Sequence, residues 1–171
     1  MTRFLFILTL FLLFIFEGTI VQVFSPDRWG IHILLVPRFV VVLLIFAALF
    51  LGRIQGLMIG LIFGLMYDVI YGSAIGIYAF SMAFIGYFSG LTFRIFQQNV
   101  FLILLTVLVS LVIHESIVYG LLSLTNVVNM DINFFYMHRV IPILILNMLF
   151  ALFVSYPARA ILLQMKEEDE S

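Results

Sequence analysis

Six ionisable side chains of this chain stand where lipid would be a poor solvent for them. Glu17, Asp68, His114 and Glu115 lie inside long apolar runs, and Arg38 and Arg139 stand near the starts of two more. A charge near the centre of a membrane helix costs about 2.5–3.5 kcal/mol, while each Leu, Ile or Phe returns about 0.3–0.6 kcal/mol. A Phe-rich run therefore still inserts, but its charged group is driven toward a partner. Two readings are open. Arg38 or Arg139 neutralises Asp68, Glu17 or Glu115 in a polar cluster that orients a ligand or a partner, or the same residues are interhelical ties that fix register and bind nothing. His114 and Glu115 are adjacent, so they point about 100° apart on a helix and one of them is expected to face headgroups. His32, His114 and His138 lack the spacing of converging metal ligands, so neither a metal site nor a cofactor is expected.

A second pattern surrounds Asp68. Glycine recurs at every fourth position, Gly52, Gly56, Gly60 and Gly64, with Asp68 at the next step. Residues four apart share one helix face, and a glycine face lets another backbone approach closely. The stripe packs helices within the chain or receives a partner's helix. Gly86 and Gly90 repeat the spacing further on. Gly72 and Gly76 are expected in a hairpin turn, where φ > 0 is needed.

The segments that must carry these residues are legible from hydropathy. Hydrophobic residues make up 65% of the 171 and charged residues 10%, with a mean hydropathy of +1.28, far from the balance of a water-soluble domain. A bilayer core of about 30 Å takes about 20 helical residues. Apolar runs of that order predict an all-α integral membrane protein, a single polytopic domain of six transmembrane helices in one compact bundle. The spans fall at about residues 4–24, 37–51, 56–71, 74–93, 100–124 and 139–157, and residues 163–171 form an acidic tail. The second span is short. Pro37 suits its first turn, and Arg38 can snorkel to headgroups. Ser25, Pro26, Asp27, Arg28, Trp29 and Gly30 form the first turn, and Pro157 with Arg159 ends or bends the last span. The first run resembles a signal peptide, but bulky Phe14, Ile15 and Phe16 replace a small-residue cleavage site, so a retained span is expected.

An even number of spans places both termini on one side. Arg3, Arg53, Arg94, Arg159 and Lys166 then oppose Arg28, Arg38 and Arg139, and the positive-inside rule makes the termini cytoplasmic. Glu17, Asp68, His114 and Glu115 consequently fall in the outer halves of their spans. There is no cysteine, no basic stripe for nucleic acid, no Walker loop, no dinucleotide fingerprint, no His-Glu-x-x-His helix and no Gly-x-Ser-x-Gly elbow. No catalytic residue is assigned, and the expected mechanism is binding.

Four stretches carry a family likeness. Leu35-Val36-Pro37-Arg38-Phe39 opens the second span, Gly60-Leu61-Ile62-Phe63-Gly64-Leu65-Met66-Tyr67-Asp68 lies in the third, and Arg139-Val140-Ile141-Pro142 followed by Leu146-Asn147 marks the sixth. In order and spacing, over nearly the whole chain, they resemble the rod shape-determining MreD family of Gram-positive rods. The resemblance implies a non-enzymatic membrane scaffold of the cell-wall elongation machinery, working with the single-span protein MreC and with MreB filaments, RodA and its transpeptidase in peptidoglycan synthesis. It also implies a fold similar to the S components of energy-coupling vitamin transporters, which leaves a small-molecule-binding transporter subunit as the alternative function. The residues expected to matter are Glu17, Pro37, Arg38, Asp68, Glu115 and Arg139 as polar determinants, and Gly52, Gly56, Gly60 and Gly64 as close-packing positions.

Overall fold

The computed structural model of the chain describes residues 2–23, 36–91, 99–128 and 131–170. The turn expected at Ser25 to Gly30, His32, and the joint holding Arg94, Gln97 and Gln98 lie outside the described residues. The described residues form helices and no strand: α1 (Thr2–Val23), α2 (Phe39–Leu51), α3 (Arg53–Tyr71), α4 (Ile77–Leu91), α5 (Val100–Leu124), and a last helical run made of α6 (Ile132–Phe135), a π-helical turn (Tyr136–Val140) and α7 (Ile141–Glu170). The described residues thus make an all-α membrane fold of six helical segments. Four of them, α1, α3, α5 and the last run, are long and apolar enough to cross a bilayer. Within the described residues the other two are shorter, α2 with 13 residues and α4 with 15, and α2, which is bounded at both ends, spans about 20 Å at 1.5 Å per residue against a core of about 30 Å.

By contacts the chain divides into two compact units, Met1–Leu43 with Met130–Ser171, and Leu44–Asn129. The division falls inside α2. That helix carries no polar residue, and from Val40 to Phe50 no side chain is more than 4% exposed, as expected of a helix apolar on every side.

In the first unit α1 and α7 touch along seams of helical period. Phe6, Leu10, Phe14 and Glu17 are buried on α1, and Ile143, Asn147, Ala151, Ala158, Leu162 and Met165 on α7. The opposite faces, such as Phe4, Ile7 and Phe11, or Ile145, Leu149 and Phe153, are exposed and apolar, as lipid contact requires. The Thr2 hydroxyl donates to the Glu168 carboxylate, so the start of α1 lies beside the end of α7. Two prolines shape this unit. Pro142 has no N–H for the carbonyl of His138, four residues back, and in α geometry its ring crowds that carbonyl. The helix widens just before it: the Ile141 N–H goes to the carbonyl of Tyr136, five residues back, which defines the π-helical turn. Pro157, by contrast, neither ends α7 nor starts a loop. It sits on the exposed face, and the seam resumes immediately with Ala158, so packing keeps the chain helical across one missing ladder bond. The acidic residues Glu167 and Glu168 are thus on a helix.

In the second unit α3 and α4 are antiparallel and nearly in backbone contact. A Cβ added at Gly56, Gly60 or Gly64 would fall within 3.0 Å of the backbone of Gly86, Met82 or Ala79 respectively. Gly86 and Gly90 complete the fit from α4, against Gly56 and Arg53. Gly52 does not belong to this seam. Nothing lies within 4 Å of its missing Cβ, and its φ of 101° is the reason for glycine there: it lets the chain turn from α2 into α3 with one residue between them. In the hairpin turn only Gly76, with φ 104°, has the positive φ expected there; Gly72 is extended (φ −79°), and a Cβ on it would strike the backbone of Asp68. Hydroxyl ties join α4 to α5: Ser81 Oγ lies 2.8 Å from His114 Nδ1, and Ser89 Oγ lies 3.1 Å from Ser110 Oγ.

Candidate functional site: two buried helix starts

The first four N–H groups of any helix lack an intrahelical acceptor. At a membrane surface, water or headgroups supply one. Where a helix start is buried inside the protein, only other protein groups can, and each unmet group there costs several kcal/mol. The starts of α2 and α4 both face this problem, and buried polar side chains of other helices answer it, Asp68 and Glu17 among those the sequence singled out.

At α4 the answer is Asp68, which is 2% exposed. Its Oδ1 accepts the N–H of Tyr78 at 2.8 Å, and its Oδ2 accepts those of Gly76 and Ala79, each at 2.9 Å. The first intrahelical bond, from the Phe80 N–H to the Gly76 carbonyl, begins just beyond. One carboxylate on α3 therefore meets three of the four orphan donors, at the end of the helix where the dipole favours a negative charge. The reach is set by the glycines: with Gly64 against Ala79, Asp68, one turn on, lies level with the start of α4. The rings of Tyr67 and Tyr78 stand 5.8 Å apart at this junction.

At α2 the work is shared between two other helices. Glu17 of α1, 3% exposed, accepts the Val40 N–H through Oε1 at 2.6 Å. Asn147 of α7 accepts the Arg38 N–H through Oδ1 at 2.7 Å, and its amide nitrogen donates to the carbonyls of Ile143 at 2.8 Å and Val36 at 3.4 Å. Pro37 does not open the helix but precedes it by two residues. In a buried lead-in its virtue is that it has no N–H to satisfy. The Arg38 side chain is buried as well, and its backbone stands two residues from the amide that Glu17 holds.

The remaining expected residues fall as follows. Glu115 and His114 are both buried, so neither faces headgroups; the buried stripe of α5, Ile103, Val107, Ser110, Leu111, His114, Glu115 and Val118, is wide enough to hold both. Arg139 lies in the π-helical turn, half-buried, with its guanidinium carbon 5.9 Å from the centre of the Phe135 ring. His138 beside it stacks on Phe134 at 4.2 Å. Within the units, then, the structure brings Asp68 to α4 and Glu17 to α2, each against backbone amides. Sequence reasoning passed over Asn147 and Ser81 as site residues. The available signal was the same for both: a polar side chain in an apolar helix that has to find a partner.

Against known proteins the chain matches the family model described as rod shape-determining protein MreD over residues 1–166. It is 30% identical over 134 residues to the rod shape-determining protein MreD of Bacillus subtilis (strain 168), covering 78% of each chain. No solved structure matches it. Multi-pass helical architecture and a match along nearly the whole length agree, and the chain belongs to the MreD family of rod shape-determining membrane proteins.

Proposed function

We propose that this chain is a non-enzymatic scaffold of the cell-wall elongation machinery. It binds MreC through MreC's single membrane span and the external segment next to it, and so helps organise peptidoglycan synthesis; MreB, RodA and its transpeptidase join the assembly directly or through MreC. The observation that carries the non-enzymatic reading is how the carboxylates are used. Both oxygens of Asp68 accept helix-start amides, and Glu17 accepts another. Those are the bonds of acids that hold a shape, rather than of a base awaiting a substrate proton. Rigid helix starts in the outer half of the membrane suit a preorganised docking face, because a partner then pays little ordering cost. Arg139, half-buried in an outer joint, is the polar group we assign to the partner's external segment, and buried Arg38 is assigned to holding the start of α2.

Both termini face the cytoplasm in this reading. The bond from Thr2 to Glu168 supports their sharing a side, and the excess of Arg and Lys in the joints on that side selects the inner one. Because the chain has no cysteine, a single one introduced at Ser171 reports its side cleanly to a membrane-impermeant maleimide. Labelling from outside intact cells would refute the orientation.

The experiment for the function is detergent co-purification followed by mass spectrometry of everything retained. Recovery of a bitopic partner, lost on replacing Arg139 by Glu while the helical content is unchanged, is the expected result. Retention of a vitamin-like small molecule together with an ATPase module would replace the scaffold with a transporter subunit.

A further inference from the structure

We infer that the outer face of the α3–α4 pair holds one anionic phospholipid, its phosphate on Arg53 and one acyl chain in the groove that starts beside it. Arg53, the first residue of α3, is exposed. Its guanidinium carbon stands 5.8 Å over the ring of Tyr87 on α4. That ring is also one wall of an apolar groove of about 320 Å³, lined by Leu57, Phe80, Ala83, Phe84, Tyr87 and Phe88. Leu57 is one turn from Arg53 on the same helix face. From Tyr87 to Phe80 the groove follows α4 for seven residues, or about 10 Å into the membrane. Phe80, Phe84 and Phe88 form its outer ridge, with successive ring centres 6.0 and 4.4 Å apart, and Ala83 leaves its floor low.

Charge and shape choose the occupant. A cation held on an aromatic ring at the membrane end of an apolar trough presents a fork of N–H donors to phosphate oxygens. An anion there also meets the positive end of the α3 dipole, which is otherwise set against the arginine itself. Ordinary snorkelling would send the arginine to any headgroup, but here the same tyrosine positions the guanidinium and begins the trough, so head and chain are bound as one ligand. A single acyl chain can follow such a groove along its length, and the cation at its mouth favours a ligand that carries a phosphate over an apolar partner helix. The leaflet is the cytoplasmic one in the topology proposed above, but the site itself does not depend on that assignment.

The test is native mass spectrometry of the detergent-purified protein offered equimolar phosphatidylglycerol and phosphatidylcholine with identical chains. We expect phosphatidylglycerol to be retained about fivefold over phosphatidylcholine, the ratio that one basic side chain at a membrane surface supplies. Arg53→Gln should bring the ratio to about one without changing the helical content, Ala83→Phe should lower retention of both lipids, and Arg159→Gln should change neither. In parallel, phosphatidylglycerol with a photoreactive acyl chain should cross-link within residues 80–88 of the unaltered protein, which keeps the inference testable even if Ala83→Phe does not fold. Equal retention of the two lipids, a ratio insensitive to Arg53→Gln, cross-links spread evenly over the exposed helices, or protection of the groove by a co-purified helix would each overturn it.

Discussion

The starts of α2 and α4 pose one physical problem and solve it in opposite ways. At α4 a single carboxylate eight to eleven residues away meets three amides. At α2 a carboxylate 23 residues away and a carboxamide 109 residues away meet one each. The α4 clamp is local, and it forms as soon as the hairpin closes. The α2 clamp cannot form until α1 and α7 have both reached their places, since its ligands come from opposite ends of the chain. A buried helix start can thus be anchored by its nearest neighbour or by helices from distant parts of the chain, and the second choice ties the start of that helix to completion of its unit. The contrast predicts different sensitivities, and these can be measured.

The largest effect is expected from Gly60→Leu. The new side chain would have to occupy the space of the Met82 and Ala83 backbone, which has no rotamer by which to yield. Overpacking commonly costs about 1–3 kcal/mol where side chains can adjust; here α4 must move off α3 and take its amides away from Asp68. Folded protein recovered by size exclusion in mild detergent should fall to near nothing. Asp68→Ala comes next. It leaves the α3–α4 seam intact but strands three buried N–H groups, each worth about 1–3 kcal/mol, and a loss of roughly 4 kcal/mol in reversible SDS unfolding is expected. A loss under 1 kcal/mol would mean that water reaches the start of α4 and that the clamp is not needed.

At α2 the corresponding blow is Asn147→Leu. The leucine fills most of the volume but strands the Arg38 N–H and the Val36 carbonyl, so about 2–3 kcal/mol should be lost in the same assay. Asn147→Asp keeps the acceptor but sets a buried carboxyl group against the Val36 and Ile143 carbonyls, so it should lose at least as much. If instead both variants unfold like the native protein, the tie between α7 and the start of α2 is incidental.

How much of this was visible in the sequence follows the same division between local and distant. The spacing of Gly56, Gly60, Gly64 and Asp68 placed them on one face of α3, and all four are buried on the side that meets α4. That inference needed only helical periodicity. Gly52 shared the spacing but not the role, because a positive φ at a joint leaves no trace in a four-residue repeat. The pairing of Arg38 or Arg139 with Asp68, Glu17 or Glu115 considers side chains alone; the backbone amides that Asp68 and Glu17 accept carry no letter in the sequence. Asn147 stands in a family pattern, yet its partner Arg38 lies 109 residues away, beyond any local rule. The extension of α7 past Pro157 was hidden for a different reason: whether a proline breaks a helix depends on what the next turns bury, and Ala158, Leu162 and Met165 decide that only once α1 is beside them.

The smallest effect is expected from a pair of isosteric changes, and it is the sharpest test of the comparison. Glu17 accepts the Val40 N–H through Oε1, a bond that the carbonyl of a glutamine can accept in its place, so at that amide Glu17→Gln should cost about 1 kcal/mol, the difference between a charged and a neutral acceptor. Asp68 uses both oxygens for three amides. In Asp68→Asn one side of the fork becomes an NH₂ group that confronts a backbone donor, Tyr78 if the oxygen stays with Gly76 and Ala79. That change should cost about 2 kcal/mol, clearly more than its counterpart. Parallel SDS unfolding of the two variants reads the difference directly. Equal losses would show that charge rather than hydrogen-bond count holds both helix starts, and the division of labour drawn between α2 and α4 would then fail.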